Sequence, residues 1–146
     1  MTNLNSIKKV AGLLSQHQIN FVVGGSGLAY LLGIQKDIND WDLMTEASVE
    51  SVKRCLTDID FKCWGPRAPF CSKYVISFQV DGQLVEIIGG FAFELNGQLY
   101  EFPAVGNLTR QGLRLANVES WIKIYDLLGQ KNKAKALRIW KMQQQD

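Results

Sequence analysis

The stretch from residue 21 to residue 45 constrains this chain more than any other. The apolar run Ile19–Val23 predicts a short buried strand, and it leads directly into the turn Gly24–Gly27, which reads Gly-Gly-Ser-Gly. A short helical run and a polar connector follow, and Asp40–Met44 then alternates as a strand does. This order suits a site that holds a phosphate at the start of a helix and a divalent metal on neighbouring carboxylates.

The glycine turn is a candidate anion site. Gly24, Gly25 and Gly27 permit backbone angles closed to other residues and let a ligand approach the main chain. Ser26 is placed as the N-cap of the next helix, whose free N–H groups and dipole favour an anion. An ordinary tight turn is the alternative, because neither the P-loop pattern GxxxxGK[ST] nor the full dinucleotide pattern GxGxxG is present.

Asp40 and Asp42 are candidate metal ligands. They share one face of their strand while Trp41 and Leu43 share the other. Two carboxylates about 6–7 Å apart along a strand repel each other unless a cation lies between them. A hard divalent ion such as magnesium would supply that cation. The alternative is an exposed strand edge on which both aspartates are solvated.

A third acid stands on a later strand. Asp81-Gly82 is a hairpin signal, and the return strand from Gln83 carries Glu86 among apolar neighbours. An unpaired charge is costly to bury, so Glu86 needs a partner. A metal shared with Asp40 and Asp42 would be such a partner.

The rest of the pattern predicts one α+β domain. We expect a mixed β-sheet of about five strands with helices mainly on one face, followed by a C-terminal helical pair. The predicted domain spans residues 1–146, with an α/β core over 1–115 and C-terminal helices over 116–146. The last helix begins at about Lys131 and is rich in lysine, which favours a solvated face over a polyanion-binding one.

Bulk properties exclude several classes of protein. The three cysteines are odd in number and lack CxxC spacing, so neither a disulfide framework nor a zinc ribbon is indicated. No apolar run reaches the roughly 18 residues of a membrane span, and the first residues lack the pattern of a signal peptide. We therefore predict a cytoplasmic protein without a membrane partner. The net charge of +2 neither requires nor excludes a nucleic acid.

These motifs resemble the minimal nucleotidyltransferases of the DNA polymerase beta-like superfamily. The resemblance consists of a Gly-Gly-Ser turn, Asp-x-Asp on the next strand and a third acid on a later strand. The segment Val118–Gly129 and the lysine-rich sequence after it are similar to the closing helix of small stand-alone members. Two departures stand out. Lys36 and Ile38 occupy positions where many relatives carry arginine and threonine, and Glu86 stands where aspartate is common.

The resemblance implies transfer of a nucleoside monophosphate from a nucleoside triphosphate, such as ATP, to a hydroxyl acceptor, with release of pyrophosphate. Asp40 and Asp42 would hold Mg²⁺ or Mn²⁺, and Glu86 would complete a two-metal site and could accept the proton of the acceptor. Paired ions of this kind would lower the pKa of the acceptor hydroxyl.

The same resemblance assigns the phosphate ligands. The amides of Gly24–Gly27 and the Ser26 hydroxyl would hold the β and γ phosphates. Lys36 and Lys123 would add positive charge, although a lysine offers a point charge where an arginine offers a bidentate fork.

Two other interpretations stay open at this stage. The chain could be a non-catalytic nucleotide-binding or antitoxin-type partner module, or a plain α+β domain whose carboxylates are structural. The acceptor is equally open among a small molecule such as an antibiotic, a protein side chain and an RNA end. It could be bound by the C-terminal helices, by a second subunit of a homodimer or by a partner protein.

Overall fold

A computed structural model describes residues 2–144 of the chain. Residues 1, 145 and 146, which the predicted domain bounds include, lie outside the described residues. The helices are α1 (Leu4–Gln16), α2 (Gly25–Leu31), α3 (Val49–Cys55), α4 (Val118–Leu127) and α5 (Lys131–Gln143). The strands are β1 (Val22–Gly24), β2 (Asp40–Thr45), β3 (Lys62–Trp64), β4 (Tyr74–Val80), β5 (Gln83–Gly89), β6 (Ala92–Leu95), β7 (Gln98–Glu101), β8 (Leu108–Arg110) and β9 (Leu113–Leu115).

The main sheet is mixed and has seven strands in the order β3-β4-β5-β2-β1-β9-β8. β2 pairs with β5 and β1 pairs with β9 in parallel, whereas the other neighbours are antiparallel. β6 and β7 form a separate two-stranded sheet. The α+β class and the C-terminal helical pair are thus confirmed, but the strand count exceeds the predicted five. The excess includes β8 and β9, whose three residues each are too few to show a periodic pattern.

Two dipeptides that end in glycine form the turns of hairpins. Asp81-Gly82 joins β4 to β5, and Asn96-Gly97 joins β6 to β7. All four turn residues have φ between 50° and 82°, which is the left-handed region that a two-residue type I′ turn requires. The Asp81-Gly82 turn sets the register of β4 on β5, and so fixes which residues of β5 face which side of the sheet.

The two faces of the sheet have different roles. Trp41 and Leu43 of β2 are fully buried, and Gly27 of α2 comes so close that a Cβ there would lie 2.7 Å from the Trp41 ring. The indole N–H of Trp41 donates to the side chain of buried Gln83, which also accepts from the backbone N–H of Asn3 just before α1. α1 and α2 therefore cover the Trp41 face. The opposite face carries the side chain of Asp42, and the C-terminal helices lie on this side of the sheet.

The start of α2 differs from the prediction in one detail. Ser26 was expected to cap this helix, but α2 already begins at Gly25, with Gly24 in the N-cap position and no side-chain cap. Gly25 turns the chain at the start of this helix with φ of +56°, a conformation that favours glycine. Ser26 consequently lies in the first turn of α2.

Candidate active site

Three carboxylates from two neighbouring strands meet on one face of the sheet. The parallel register of β2 on β5 sets Asp42 directly opposite Glu86, and Asp40 lies two residues earlier on the same face. One oxygen from each of Asp40, Asp42 and Glu86 lies within 4.8 Å of the others, and all three residues are half-buried. The predicted cluster of Asp40, Asp42 and Glu86 is therefore assembled by the fold.

The carboxylates repel one another. Burial, followed by the charges of Asp40 and Glu86, raises the pKa of Asp42 to about 7, and Lys133 offsets this only in part. Burial and then Asp40 also raise the pKa of Glu86. A divalent cation with a preference for oxygen ligands would relieve this repulsion, so the three acids fit Mg²⁺ or Mn²⁺. Among the described residues, no cationic side chain fully offsets the repulsion among the three carboxylates.

The glycine turn lies directly against this cluster. A Cβ built on Gly25 would lie 2.5 Å from Oδ2 of Asp42, and the positive φ of Gly25 disfavours any side chain there. Gly24 pairs with Asp42 across the antiparallel ladder of β1 and β2. Glycine at residue 25 thus allows the main chain of the turn to touch the carboxylate, as a shared ligand site would require.

Trp121 of α4 closes the other side of the turn. Its indole ring occupies the space that a side chain at Gly24 would fill, with Nε1 2.7 Å from the Cβ position. Nε1 of Trp121 is buried and finds no hydrogen-bond acceptor among residues 2–144. A buried donor without an acceptor is unfavourable by about 1–3 kcal/mol, so its presence beside the glycine turn favours an anionic ligand there.

A cavity of about 450 Å³ opens in front of the carboxylates. Gly25 and Ser26 line it, but Gly24 and Gly27 are not among its described lining residues. Lys133 of α5 also lines it, with Nζ 5.6 Å from the centre of the Tyr125 ring. The site therefore contains a cation that the sequence reasoning missed. The only signal was the lysine-rich helix, in which nothing distinguishes this lysine from its neighbours.

The two lysines proposed from the resemblance lie elsewhere. Lys36 and Lys123 are exposed, and neither is among the described residues that line the cavity. The Lys123 ammonium lies 5.8 Å from the centre of the Tyr100 ring instead. A role for these two lysines in phosphate binding stays a prediction, and Lys133 is the better-placed cation.

Aromatic side chains form the remaining wall of the cavity. Trp64 ends β3, and the guanidinium of Arg67 lies 4.2 Å above the centre of its ring. Phe70 is 39% exposed and stacks on Phe91, which in turn stacks on Trp121 with ring planes 10° apart.

Comparisons with known proteins agree with the architecture. A scan against protein-family models and a search of curated proteins find no match. Among solved structures, a provisionally assigned nucleotidyltransferase from Thermotoga maritima superposes with a TM-score of 0.71 at 24% identity, over 97% of this chain and 93% of that chain. The chain has the nucleotidyltransferase fold.

An antibiotic adenylyltransferase and an antibiotic-resistance factor share this nucleotidyltransferase fold. The lincosamide antibiotic adenylyltransferase LnuA, solved with lincomycin bound, has a TM-score of 0.62 at 18% identity, over 94% of this chain and 97% of that chain. ANT(2'')-Ia, solved with adenylyl-2''-tobramycin, has a TM-score of 0.61 at 11% identity, over 94% and 86%. Within the described residues no helix is long and apolar enough to cross a membrane.

Proposed function

We propose that the protein transfers a nucleoside monophosphate from a nucleoside triphosphate to a hydroxyl acceptor and releases pyrophosphate. The observation that carries this proposal is the convergence of the Asp40, Asp42 and Glu86 carboxylates beside the glycine turn. A module that only binds a nucleotide has no need of three mutually repelling acids. The structural neighbours support the same chemistry, since their names describe nucleotidyl or adenylyl transfer.

The three acids would hold the metal. Asp40, Asp42 and Glu86 offer oxygen ligands of the kind that Mg²⁺ and Mn²⁺ bind, and the protein would use ATP or another nucleoside triphosphate as its metal complex. One ion or a pair would neutralise charge on the phosphates and lower the pKa of the attacking hydroxyl. Glu86 is our candidate for the group that accepts the hydroxyl proton, because it lines the cavity and its carboxylate lies beside those of Asp40 and Asp42.

The phosphates would lie between the glycine turn and α5. The turn at Gly25–Ser26 brings main chain and a hydroxyl to the cavity, Trp121 offers its unpaired N–H, and Lys133 offers a positive charge. When the acceptor oxygen forms its bond to the α-phosphorus, the bond from that phosphorus to the β-phosphate oxygen breaks. Negative charge then develops on the pyrophosphate, where donors placed in advance are most effective.

A direct assay separates this proposal from its alternatives. The purified protein, MgCl₂ and each of the four α-labelled nucleoside triphosphates are incubated with cell extract as a source of acceptors, and label transfer and pyrophosphate are measured. We expect transfer by the wild type and its loss in Asp42→Asn, with an unchanged circular dichroism spectrum. Asp60→Asn, an exposed acid away from the cavity, is the matched control and should retain activity.

The outcomes differ for each interpretation. Binding of magnesium-nucleotide without consumption, and equal in wild type and Asp42→Asn, would favour a non-catalytic or antitoxin-type module. Neither binding nor consumption of any of the four nucleotides would leave only the structural reading of the carboxylates. Size-exclusion chromatography of the same preparation tests whether a homodimer forms. Cell fractionation tests the predicted cytoplasmic location.

A further inference from the structure

The strand order divides the cavity into two sides. The acids lie on β2 and β5, which stand between β1 with its glycine turn and the β3–β4 pair. The cavity accordingly has Gly25 and Ser26 on one side of the carboxylates. On the other side it has the last residue of β3, Trp64, and residues of the segment that leads to β4, including Arg67 and Phe70. We call residues 64–72 the β3–β4 loop.

Transfer chemistry assigns a different ligand to each side. In an in-line displacement the attacking and leaving oxygens lie on opposite sides of the phosphorus. If pyrophosphate leaves toward the glycine turn and Lys133, the acceptor hydroxyl arrives from the opposite side, where the β3–β4 loop lies. This step rests on the proposed function, because the donor phosphates set the direction of attack.

Backbone hydrogen bonds hold the β3–β4 loop in place before any ligand binds. Arg67 and Phe70 exchange N–H···O bonds of 2.9 Å and 2.8 Å, which closes a tight turn between them. The loop is also fastened to the strand β6, since Cys71 N–H donates to the carbonyl of Ala92 and Glu94 N–H donates to the carbonyl of Pro69. A surface held in this way loses little conformational entropy when a ligand binds.

The side chains that the loop presents are aromatic and cationic. The Arg67 guanidinium stacks on Trp64, and no carboxylate among the described residues pairs with it. Phe70 offers an exposed ring backed by Phe91 at 6.2 Å. Arginine stacked on an aromatic ring keeps its N–H edge free for a carboxylate or phosphate oxygen. Except for the Asp40, Asp42 and Glu86 cluster, the described cavity lining offers no acid to a cationic ligand.

We propose that the β3–β4 loop is the acceptor subsite, and that it takes a small hydroxyl compound with a flat apolar body and an anionic substituent. The apolar body lies on Phe70 and Trp64, and the anion binds Arg67. A polycationic acceptor is disfavoured, because it would meet Arg67 and have only the metal-binding carboxylates to pair with. The bound acceptor would thereby point its hydroxyl toward Glu86.

A pair of isosteric probes tests the charge preference. Hydroxymethyl-naphthoate and hydroxymethyl-naphthylmethylammonium have the same flat body and opposite charge. Their binding to the full chain, saturated with Mg²⁺ and a non-hydrolysable ATP analogue, is measured by calorimetry. We expect the carboxylate to bind about tenfold more tightly than the ammonium, as one charge-assisted hydrogen bond would give.

Variants assign the preference to the loop. Arg67→Gln should weaken binding of the carboxylate probe about tenfold and should not weaken binding of the ammonium probe, whereas Phe70→Ala should weaken binding of both. Arg110→Gln on the edge strand β8 is the matched control and should change neither. All three variants should bind the magnesium–ATP analogue as the wild type does.

The outcomes are decisive in both directions. Equal binding of the two probes, no binding of either at millimolar concentration, or no effect of Arg67→Gln would overturn the subsite, while intact nucleotide binding would leave the proposed function standing. If the wild type does not bind the magnesium–ATP analogue, the proposed function is refuted. If the wild type then still binds the carboxylate probe, the β3–β4 loop is a ligand site but not an acceptor subsite.

Discussion

The repulsion among the three acids should make Asp42→Asn more stable than the wild type in the absence of metal. The pKa of Asp42 is raised from its ordinary value of 3.8 to about 7 by burial and by the charges of Asp40 and Glu86. An asparagine at this position keeps the size of the side chain and removes the charge. The variant should therefore lose activity and gain stability together.

The magnitude follows from linkage between protonation and folding. Each pKa unit is worth about 1.4 kcal/mol, so the shift lowers the free energy of unfolding by at most about 4 kcal/mol at pH 7 and above. Because Asp42 is half-buried and solvent screens part of the repulsion, we expect a gain of about 2–4 kcal/mol for Asp42→Asn.

The pH dependence has a definite sign. A carboxyl group whose pKa is raised in the folded state holds its proton more tightly there than in the unfolded chain, so folding is favoured by low pH. This contribution to stability is fully present below pH 3.8 and is lost as the pH rises to about 7. The advantage of the variant should accordingly be small at pH 4, grow between pH 4 and pH 7, and then level off.

Urea unfolding in EDTA at pH 4, 5.5, 7 and 8 measures this difference, with Asp60→Asn as the control for a surface acid. Addition of magnesium at pH 8 should stabilise the wild type more than Asp42→Asn, because the ion needs the carboxylate that the variant lacks. A gain in stability of equal size at every pH, or a variant less stable than the wild type at pH 8, would refute the reasoning.

Two further substitutions test other parts of the site, and a third tests the packing on the opposite face of the sheet. Lys133→Met should raise the KM for the nucleotide about tenfold, as loss of one phosphate contact would, whereas Lys135→Met on the exposed side of α5 should leave it unchanged in steady-state assays. Gly25→Ala should reduce kcat/KM at least about a hundredfold, since the added methyl group would displace the Asp42 carboxylate. Thermal melts should show this displacement as a loss of stabilisation by magnesium. Gln83→Leu should lower the free energy of unfolding by about 2–4 kcal/mol in urea, because two donors lose their acceptor and at least one of them is buried.

The carboxylate cluster could be predicted because each acid broke a local pattern. Asp40 and Asp42 carry charge at alternate positions of an otherwise apolar strand. Glu86 carries a charge within a second apolar strand. Their joint position depended on β2 pairing with β5 in the observed register, which the sequence does not encode locally. The prediction that the three acids meet rested on the expectation that two half-buried strands with unpaired acids are both stabilised when they share one cation.

Lys133 and Trp121 could not be predicted because their roles depend on how the C-terminal helices pack. Lysines recur along α5, and only the crossing of α5 beside Tyr125 brings one of them to the cavity. Trp121 is a buried residue of α4, as expected for an apolar ring on the inner face of a helix. Its N–H lies beside Gly24 without an acceptor, and this position depends only on how α4 packs against the glycine turn.

The electrostatics and the packing of the site lead to one conclusion about its design. In the absence of a ligand, the folded chain keeps three repelling carboxylates together and buries a donor without an acceptor. Both features lower stability, and both would be relieved at once by a metal-bound polyanion, whose cation meets Asp42 and whose oxygens meet Trp121. A structural role for the acids explains neither feature, because stability alone would favour neutral side chains here. The two unfavourable features lie on either side of Gly24-Gly25, and this proximity is the strongest physical reason to regard the turn and the acids as one site.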